Sequence, residues 1–348
     1  MIFAAARGVL ENAIAARAFP AASIEVGTTN EILWREGFGR LTFDADARPA
    51  TEDTIFDLAS LTKVLVTTPL VMQQVERGAL GLDDLISRHI EAWRGDDRAA
   101  VTLRDLLAHT AGLPAWRPFF REPKSRAEYE QAISAEPLQY VPRTASVYSD
   151  LGFMLLGFIL DDGVGLADRC AALLAQTGVV EEIQFNPPQL WRPRTAPTEN
   201  DPWRGRLLVG EVHDENAWAL GGVAGHSGLF GTAAAVGASA RHLLQILRGR
   251  TGAFSRAVVE AFIARRTDVP GSSRALGWDT MLPTSSCGTR MSSRAFGHTG
   301  FTGTSLWIDP EIDVYVALLT NRVHPTRANE AIRQVRPALH DAVVTELP

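Results

Sequence analysis

What most limits the fold of this chain is where its strand-like and helix-like runs fall. Ala21 to Gly27 and Ile32 to Phe38 read as two strands, and Thr28, Thr29 and Asn30 join them as the tight connection of a hairpin. Four further strand candidates come only near the other end: Leu276 to Met281, Arg294 to His298, Thr304 to Ile308 and Val314 to Leu319. From about residue 59 to residue 180 the pattern is helical, and Thr232 to Leu247 returns to helix. Helical spacing also brackets the whole, up to about Ala18 at the start and over Thr326 to Val344 at the end. The economical solution is an α+β fold. Residues 1–58 and 270–348 build one antiparallel sheet flanked by the first and last helices, residues 59–269 form a mainly helical lobe, and a cleft lies between them.

A chain of 348 residues exceeds the usual single-domain range, which fits one composite domain or two lobes. The net charge of -6, with no dense Lys/Arg block, argues against nucleic acid as a partner. Cys170 and Cys287 make neither a disulfide framework nor a metal set, and they suit a reducing compartment. Ile2, Phe3, Val9, Leu10 and Ile14 space like one helix face, but Arg7, Glu11 and Arg17 interrupt any signal-like apolar run. Leu151 to Leu160 is too short to cross a bilayer. These features lead us to expect a cytoplasmic protein with no membrane partner and no cofactor.

The chemistry concentrates in Asp57-Leu58-Ala59-Ser60-Leu61-Thr62-Lys63-Val64. A strand-like run, Thr54 to Leu58, leads into a helix carrying Leu61, Val64, Leu65, Thr68, Met72 and Val75. Ser60 and Lys63 then share one helical face, where an amine can activate a hydroxyl. The plainer reading makes Ser60 an N-cap. Pro69 should kink or break the helix. Two further motifs follow in order: Tyr148-Ser149-Asp150 and His298-Thr299-Gly300.

This ordered set resembles the serine β-lactamase and penicillin-binding-protein family, particularly the branch with class C β-lactamases, DD-carboxypeptidases and related esterases. Leu103 to Leu113 and Tyr148 to Phe153 look similar to the same branch, and the resemblance runs from about Phe19 to Asn321. It implies a serine hydrolase that forms an acyl-enzyme on Ser60 and cleaves a β-lactam, a D-Ala-D-Ala-type peptide or a small ester. Lys63 and Tyr148 would handle protons. The backbone N–H groups of Ser60 and Phe301 would form the oxyanion hole, and His298, Thr299 and Gly300 would dock substrate. The contrasting possibility is a binding or regulatory protein that keeps the fold without turnover.

Two departures from the common pattern matter. Asp150 stands where Asn is usual, and its charge near Lys63 would raise the lysine pKa and oppose a base role. Either Asp150 turns away, another group compensates, or proton transfer leans on Tyr148. His298 replaces a permanently charged lysine, which tilts expectation toward neutral esters or amides. The segment from Val212 to Gly228 supplies His213 and His226 as candidate substrate contacts; their spacing with Asp214 matches no compact zinc motif. His109 reads as a core or cap histidine, and Trp116, Phe119 and Phe120 either as residues of the cleft mouth or as surface packing. The glycines match no nucleotide-binding pattern.

Overall fold

A computed structural model describes residues 3–122 and 125–348. Its sheet is built as expected from the two chain ends. In chain order its strands are β1 (Ala21–Gly27), β2 (Ile32–Gly39), β3 (Asp279–Thr280), β4 (Phe296–Thr299), β5 (Ser305–Asp309) and β6 (Val314–Thr320). The spatial order is β2-β1-β6-β5-β4-β3, antiparallel at every contact. The central junction joins the first strand to the last, with Ala22 opposite Thr320 and Val26 opposite Val316. Period-two alternation divides β5 and β6 between two cores. Leu306, Ile308, Tyr315, Ala317 and Leu319 face the larger one, together with the helix Ala233–Leu247. Trp307, Val314, Val316 and Leu318 face the opening helix (Ala4–Ala15) and the closing helix (Ile332–Thr345). Both faces are therefore covered, which is why β1 and β6 are buried throughout. Ile2, counted above on the opening helix face, lies outside the described residues.

Four of the boundaries that differ from expectation have a local reason. The Ser60 helix begins with a π-helical stretch, Lys63–Thr67, and becomes α-helical over Thr68–Glu76. The N–H of Thr68 reaches back to the Lys63 carbonyl, five residues away, while Pro69 has no N–H to give Leu65. That widened turn is the break that Pro69 announced. Residues 77–101 are mostly turns around the short 3₁₀ helix Ile86–Arg88, since Gly78 ends the preceding helix at φ 70°. The strand expected over Leu276 to Met281 shrinks to β3, because Gly277 (φ 85°) turns the chain and Ala275 N–H bonds the Trp278 carbonyl. The closing helix starts at Ile332, not Thr326. The Arg322 guanidinium takes the carbonyls of Arg327 and Asn329, and the Asn329 amide bonds the carbonyls of Arg17 and Ala18, so helical bonding begins only after them.

Among the described residues no helix is long and apolar enough to cross a membrane. A capping box of Thr102 and Asp105 opens the short helix Leu103–Leu107, and His109 follows it at φ 57°.

Candidate active site

Ser60 sits where a short edge strand, Phe56–Asp57, turns into the helix. The turn is tight: Ala59 adopts φ 47°, and its N–H is held by Asp57 Oδ1 at 2.8 Å. The other oxygen of Asp57 accepts the His213 N–H at 2.7 Å, and its main-chain carbonyl accepts the Thr302 hydroxyl at 2.7 Å. Asp57 is almost fully buried, and burial pushes its carboxyl pKa up against these donors. One residue, through its carboxylate and its main-chain carbonyl, thus ties together the Ser60 turn, the 212–228 segment and the loop after β4.

Three groups converge on the Ser60 hydroxyl and its neighbours. Lys63 Nζ donates to Ser60 Oγ at 3.0 Å, to Asp150 Oδ1 at 2.7 Å and to the His226 carbonyl at 2.8 Å. Tyr148 OH lies 2.7 Å from Ser60 Oγ and 3.1 Å from Asp150 Oδ1. An ammonium has three protons, and here all three have acceptors. Burial alone would pull the Lys63 pKa down, but the Asp150 carboxylate outweighs it and the amine is held above its ordinary value. Burial, reinforced by the Asp150 charge, pushes the Tyr148 phenol up to about 12. Asp150 therefore does not turn away, and the resting pair is an ammonium beside a neutral phenol.

Tyr148 is set by the loop before the helix Asp150–Leu160, whose N-cap Ser149 hydroxyl bonds the Pro114 carbonyl at 2.7 Å. His109 does more here than cap a helix. Its Nδ1 accepts the Ser149 N–H at 3.0 Å, and its ring lies 4.8 Å from the Tyr148 ring. Burial, helped by Arg274 and Lys63, holds its pKa well below the ordinary histidine value, so the ring stays a neutral acceptor. Sequence reading placed His109 in the core and missed this contact. The only hint was its position two residues after the capped helix.

The second wall is β4 and the loop after it. His298 pairs with Leu306 and Thr299 with Ser305 across the β4–β5 ladder. His298 is buried and held neutral by burial and by the nearby Lys63 and Arg274 charges; its Nδ1 donates to the Thr299 carbonyl at 2.8 Å. Gly300 is required by space. A Cβ there would lie 2.0 Å from Thr304 Oγ1 and 2.7 Å from the Leu58 carbonyl. The loop is bolted down by Thr304 Oγ1 to the Leu58 carbonyl (3.0 Å), by Arg322 Nε to the Phe301 carbonyl (2.7 Å) and by Arg336 Nη2 to the Gly300 carbonyl (2.8 Å). Among the described residues the backbone N–H groups of Ser60 and Phe301 donate to no protein acceptor. Both residues line the cavities beside the Ser60 hydroxyl.

Two cavities open on Ser60 and share Tyr148, Phe301 and Arg327. One, of about 350 Å³, is lined by Asp150, His213, His226, Ser227 and Trp116. His213 Nε2 pairs with Glu199 (2.9 Å) and His226 Nε2 with Asp214 (2.8 Å), so each histidine is engaged by a separate carboxylate. Phe119 turns inward against Tyr129, whereas Phe120 joins Trp203 and Trp218 in an aromatic cluster. The other cavity, of about 330 Å³, is lined by Thr299, Gly300 and five arginines, including Arg274. The Arg274 guanidinium sits 5.4 Å over the Tyr148 ring and has no acceptor among the described residues. Nothing in the sequence singled out these arginines.

With this geometry in view, comparison with known proteins is informative. The family model described as "Beta-lactamase" matches residues 6–340. A protein of Escherichia coli O157:H7 named "Putative D-alanyl-D-alanine carboxypeptidase" is 31% identical over 356 residues, covering 88% of this chain and 79% of the relative. One of the same name from Salmonella gallinarum is 29% identical over 372 residues, covering 93% and 84%. The fold resembles EstCE1, described as a hydrolase with promiscuous acyltransferase activity (TM-score 0.76, 20% identity, 97% of both chains). It also resembles a class C beta lactamase from Rhodobacter sphaeroides (TM-score 0.75, 20% identity, 98% of this chain and 99% of that one). With its sheet, its ordered motifs and this match along nearly its whole length, the chain belongs to the beta-lactamase family and is a serine hydrolase.

Proposed function

We propose that this hydrolase works through an acyl-enzyme on Ser60 and cleaves amides or esters whose leaving half carries a carboxylate, in the manner of a DD-carboxypeptidase. The observation that carries the reading is the double contact of Ser60 Oγ, 2.7 Å from the Tyr148 phenol and 3.0 Å from the Lys63 ammonium. As Ser60 attacks the carbonyl carbon, its proton passes to Tyr148 while the Tyr148 proton passes to Asp150. Lys63 keeps its own protons and stabilises the charge moving through the three oxygens. The carbonyl oxygen gathers negative charge between the Ser60 and Phe301 N–H groups. Arg336 donates to the carbonyl of the Gly300–Phe301 peptide, which polarises that amide and strengthens its N–H as a donor. When the intermediate collapses, Asp150 returns its proton through Tyr148 to the leaving nitrogen or oxygen. Water then repeats the cycle on the acyl-enzyme: its first proton passes through Tyr148 to Asp150 and returns to Ser60 as the acyl bond breaks, and its second stays on the carboxylic acid released.

The tilt toward neutral substrates suggested by His298 loses its ground, because Arg274 supplies a free guanidinium beside the same strand. His213 and His226 support the acyl side as wall and framework.

Exposure to a fluorophosphonate should add one adduct mass to Ser60, and Ser60→Ala should take up none. N-acetyl-D-alanyl-D-alanine should be hydrolysed faster than its C-terminal amide, by roughly tenfold or more, and Arg274→Gln should erase most of that preference. Absence of any Ser60 adduct would leave the binding-protein reading standing instead.

A further inference from the structure

The cavity on the β4 side of Ser60 holds more positive charge than one carboxylate can answer. Arg327 is paired with Glu199 and Glu215, both at 2.7 Å, and Arg333 with Glu330 at 3.0 Å. Arg274, Arg322 and Arg336 have no carboxylate within ion-pair distance among the described residues. Asp279 is the one lining carboxylate that is likewise unpaired. Three unpaired guanidiniums thus stand against one unpaired carboxylate around a cavity of about 330 Å³.

The three arginines also keep donors in reserve. Arg322 spends Nε and Nη1 on the carbonyls of Phe301, Arg327 and Asn329, which leaves Nη2 without an acceptor. Arg336 spends Nη2 on the Gly300 and Thr304 carbonyls, while its buried Nε has no partner. The whole fork of Arg274 is uncommitted. Two of the three are also desolvated. Burial, together with neighbouring cations, holds Arg336 down at about 9, and burial lowers Arg322 against the opposing pull of Glu330. Cations held this way bind anions strongly, because the cost of removing them from water has already been met by the fold.

We infer that this cavity is a dianion subsite, and that the preferred substrates carry two negative charges on the leaving half. Resting on the acyl-enzyme reading above, the inference adds a substrate class to it: a leaving group bearing a second carboxylate or a phosphate beside its first acidic group. The anionic end of the leaving half meets Arg274 at the cleft, and its second charge meets Arg322 and Arg336 farther in. The cavity is at the small end of ligand-site volumes, which favours a leaving group of single-residue size.

The test compares leaving groups on one acyl group: N-acetyl-D-alanyl-D-alanine, N-acetyl-D-alanyl-D-glutamate and N-acetyl-D-alanyl-O-phospho-D-serine. We expect kcat/KM at least tenfold higher for one or both of the peptides with a second acidic group (the phosphoserine one bears roughly three negative charges at neutral pH), and a steeper fall with added salt than for the D-alanine peptide. Whichever dianion leads identifies the source of the second charge. The preference should shrink toward unity in Arg274→Gln, and in Arg336→Lys if thermal unfolding shows that variant folded. Equal or lower kcat/KM for both dianions overturns the inference. Titration calorimetry on Ser60→Ala with the same three peptides reads the subsite without chemistry. Tighter binding of a dianion there sustains the inference even if wild-type Ser60 takes no fluorophosphonate adduct, and equal binding sinks it even if the adduct forms.

Discussion

Lys63 is an ammonium with nowhere left to donate, and that decides how protons move at this site. A lysine acting as base would have to be neutral before attack, yet its three protons point at Ser60, Asp150 and the His226 carbonyl. Asp150 is the reason. Replacing it by Asn removes the charge that holds the amine up and leaves burial, which pulls the amine down. The alkaline limb of the kcat/KM profile in Asp150→Asn should therefore move to lower pH, and an unmoved limb would show that Asp150 does not set the lysine. The same shift has a stability sign. Folded Lys63 binds its proton more tightly than in the unfolded chain, so its contribution is complete below about 10.5 and fades as pH climbs through the folded value. A second residue makes the opposite case. His340 is buried with both ring nitrogens unpartnered, and burial pushes it down to about 3. The unfolded chain binds that proton from about pH 6.5 downward, so the fold loses stability from there toward pH 3. His340→Leu should raise stability by roughly 1–3 kcal/mol. The gain should be larger at pH 5 than at pH 8, as read by thermal melts at both.

At the scale of elements, the loop after β4 concentrates the most constraint on the fewest residues. Gly300→Ala would drive a methyl into Thr304 Oγ1 and the Leu58 carbonyl, shifting the adjoining peptide that carries the proposed Phe301 donor. Loss of one oxyanion donor costs about two to three orders of magnitude in rate, and Gly300→Ala should slow fluorophosphonate labelling by that much while Tyr148 and Lys63 remain in place. The elements also show what the sequence could and could not reveal. Ser60 and Lys63 were legible because helical spacing alone joins them. The sheet was legible because Val314 to Leu319 and Ala21 to Gly27 are unmistakably strand-like. The π-helical turn at Lys63–Thr67 was not, since only the missing N–H of Pro69 hinted at it. The closing helix was drawn six residues too long because the bonds that delay its start come from Arg322 and Asn329 side chains, which no periodicity records. Arg274, Arg322 and Arg336 were invisible as a set: each is an ordinary arginine, and only the fold brings three segments to one cavity.

Taken whole, the molecule packs its two larger cores against the faces of the six-stranded sheet, and its stability in acid depends on carboxylates that brace the cleft. Burial would raise Glu199, but His213 and Arg327 hold it at about 2, and His226 holds Asp214 well below its ordinary value against the same penalty. Both contribute stability that is complete above their unfolded values near 4 and lost as pH falls through the folded ones. Glu199→Gln should flatten the stability curve between about pH 4.5 and pH 2, measured by urea unfolding across that interval. The junction of β1 with β6 carries a further consequence, for synthesis. A ribosome that has released everything up to Asp309 has already made the serine, the lysine and the phenol, yet β1 still lacks its hydrogen-bonding neighbour on that side. Arg322 and Arg336, which anchor the Phe301 loop, are also still to come. The nascent chain thus carries its proposed nucleophile unarmed until the final strand closes against the first.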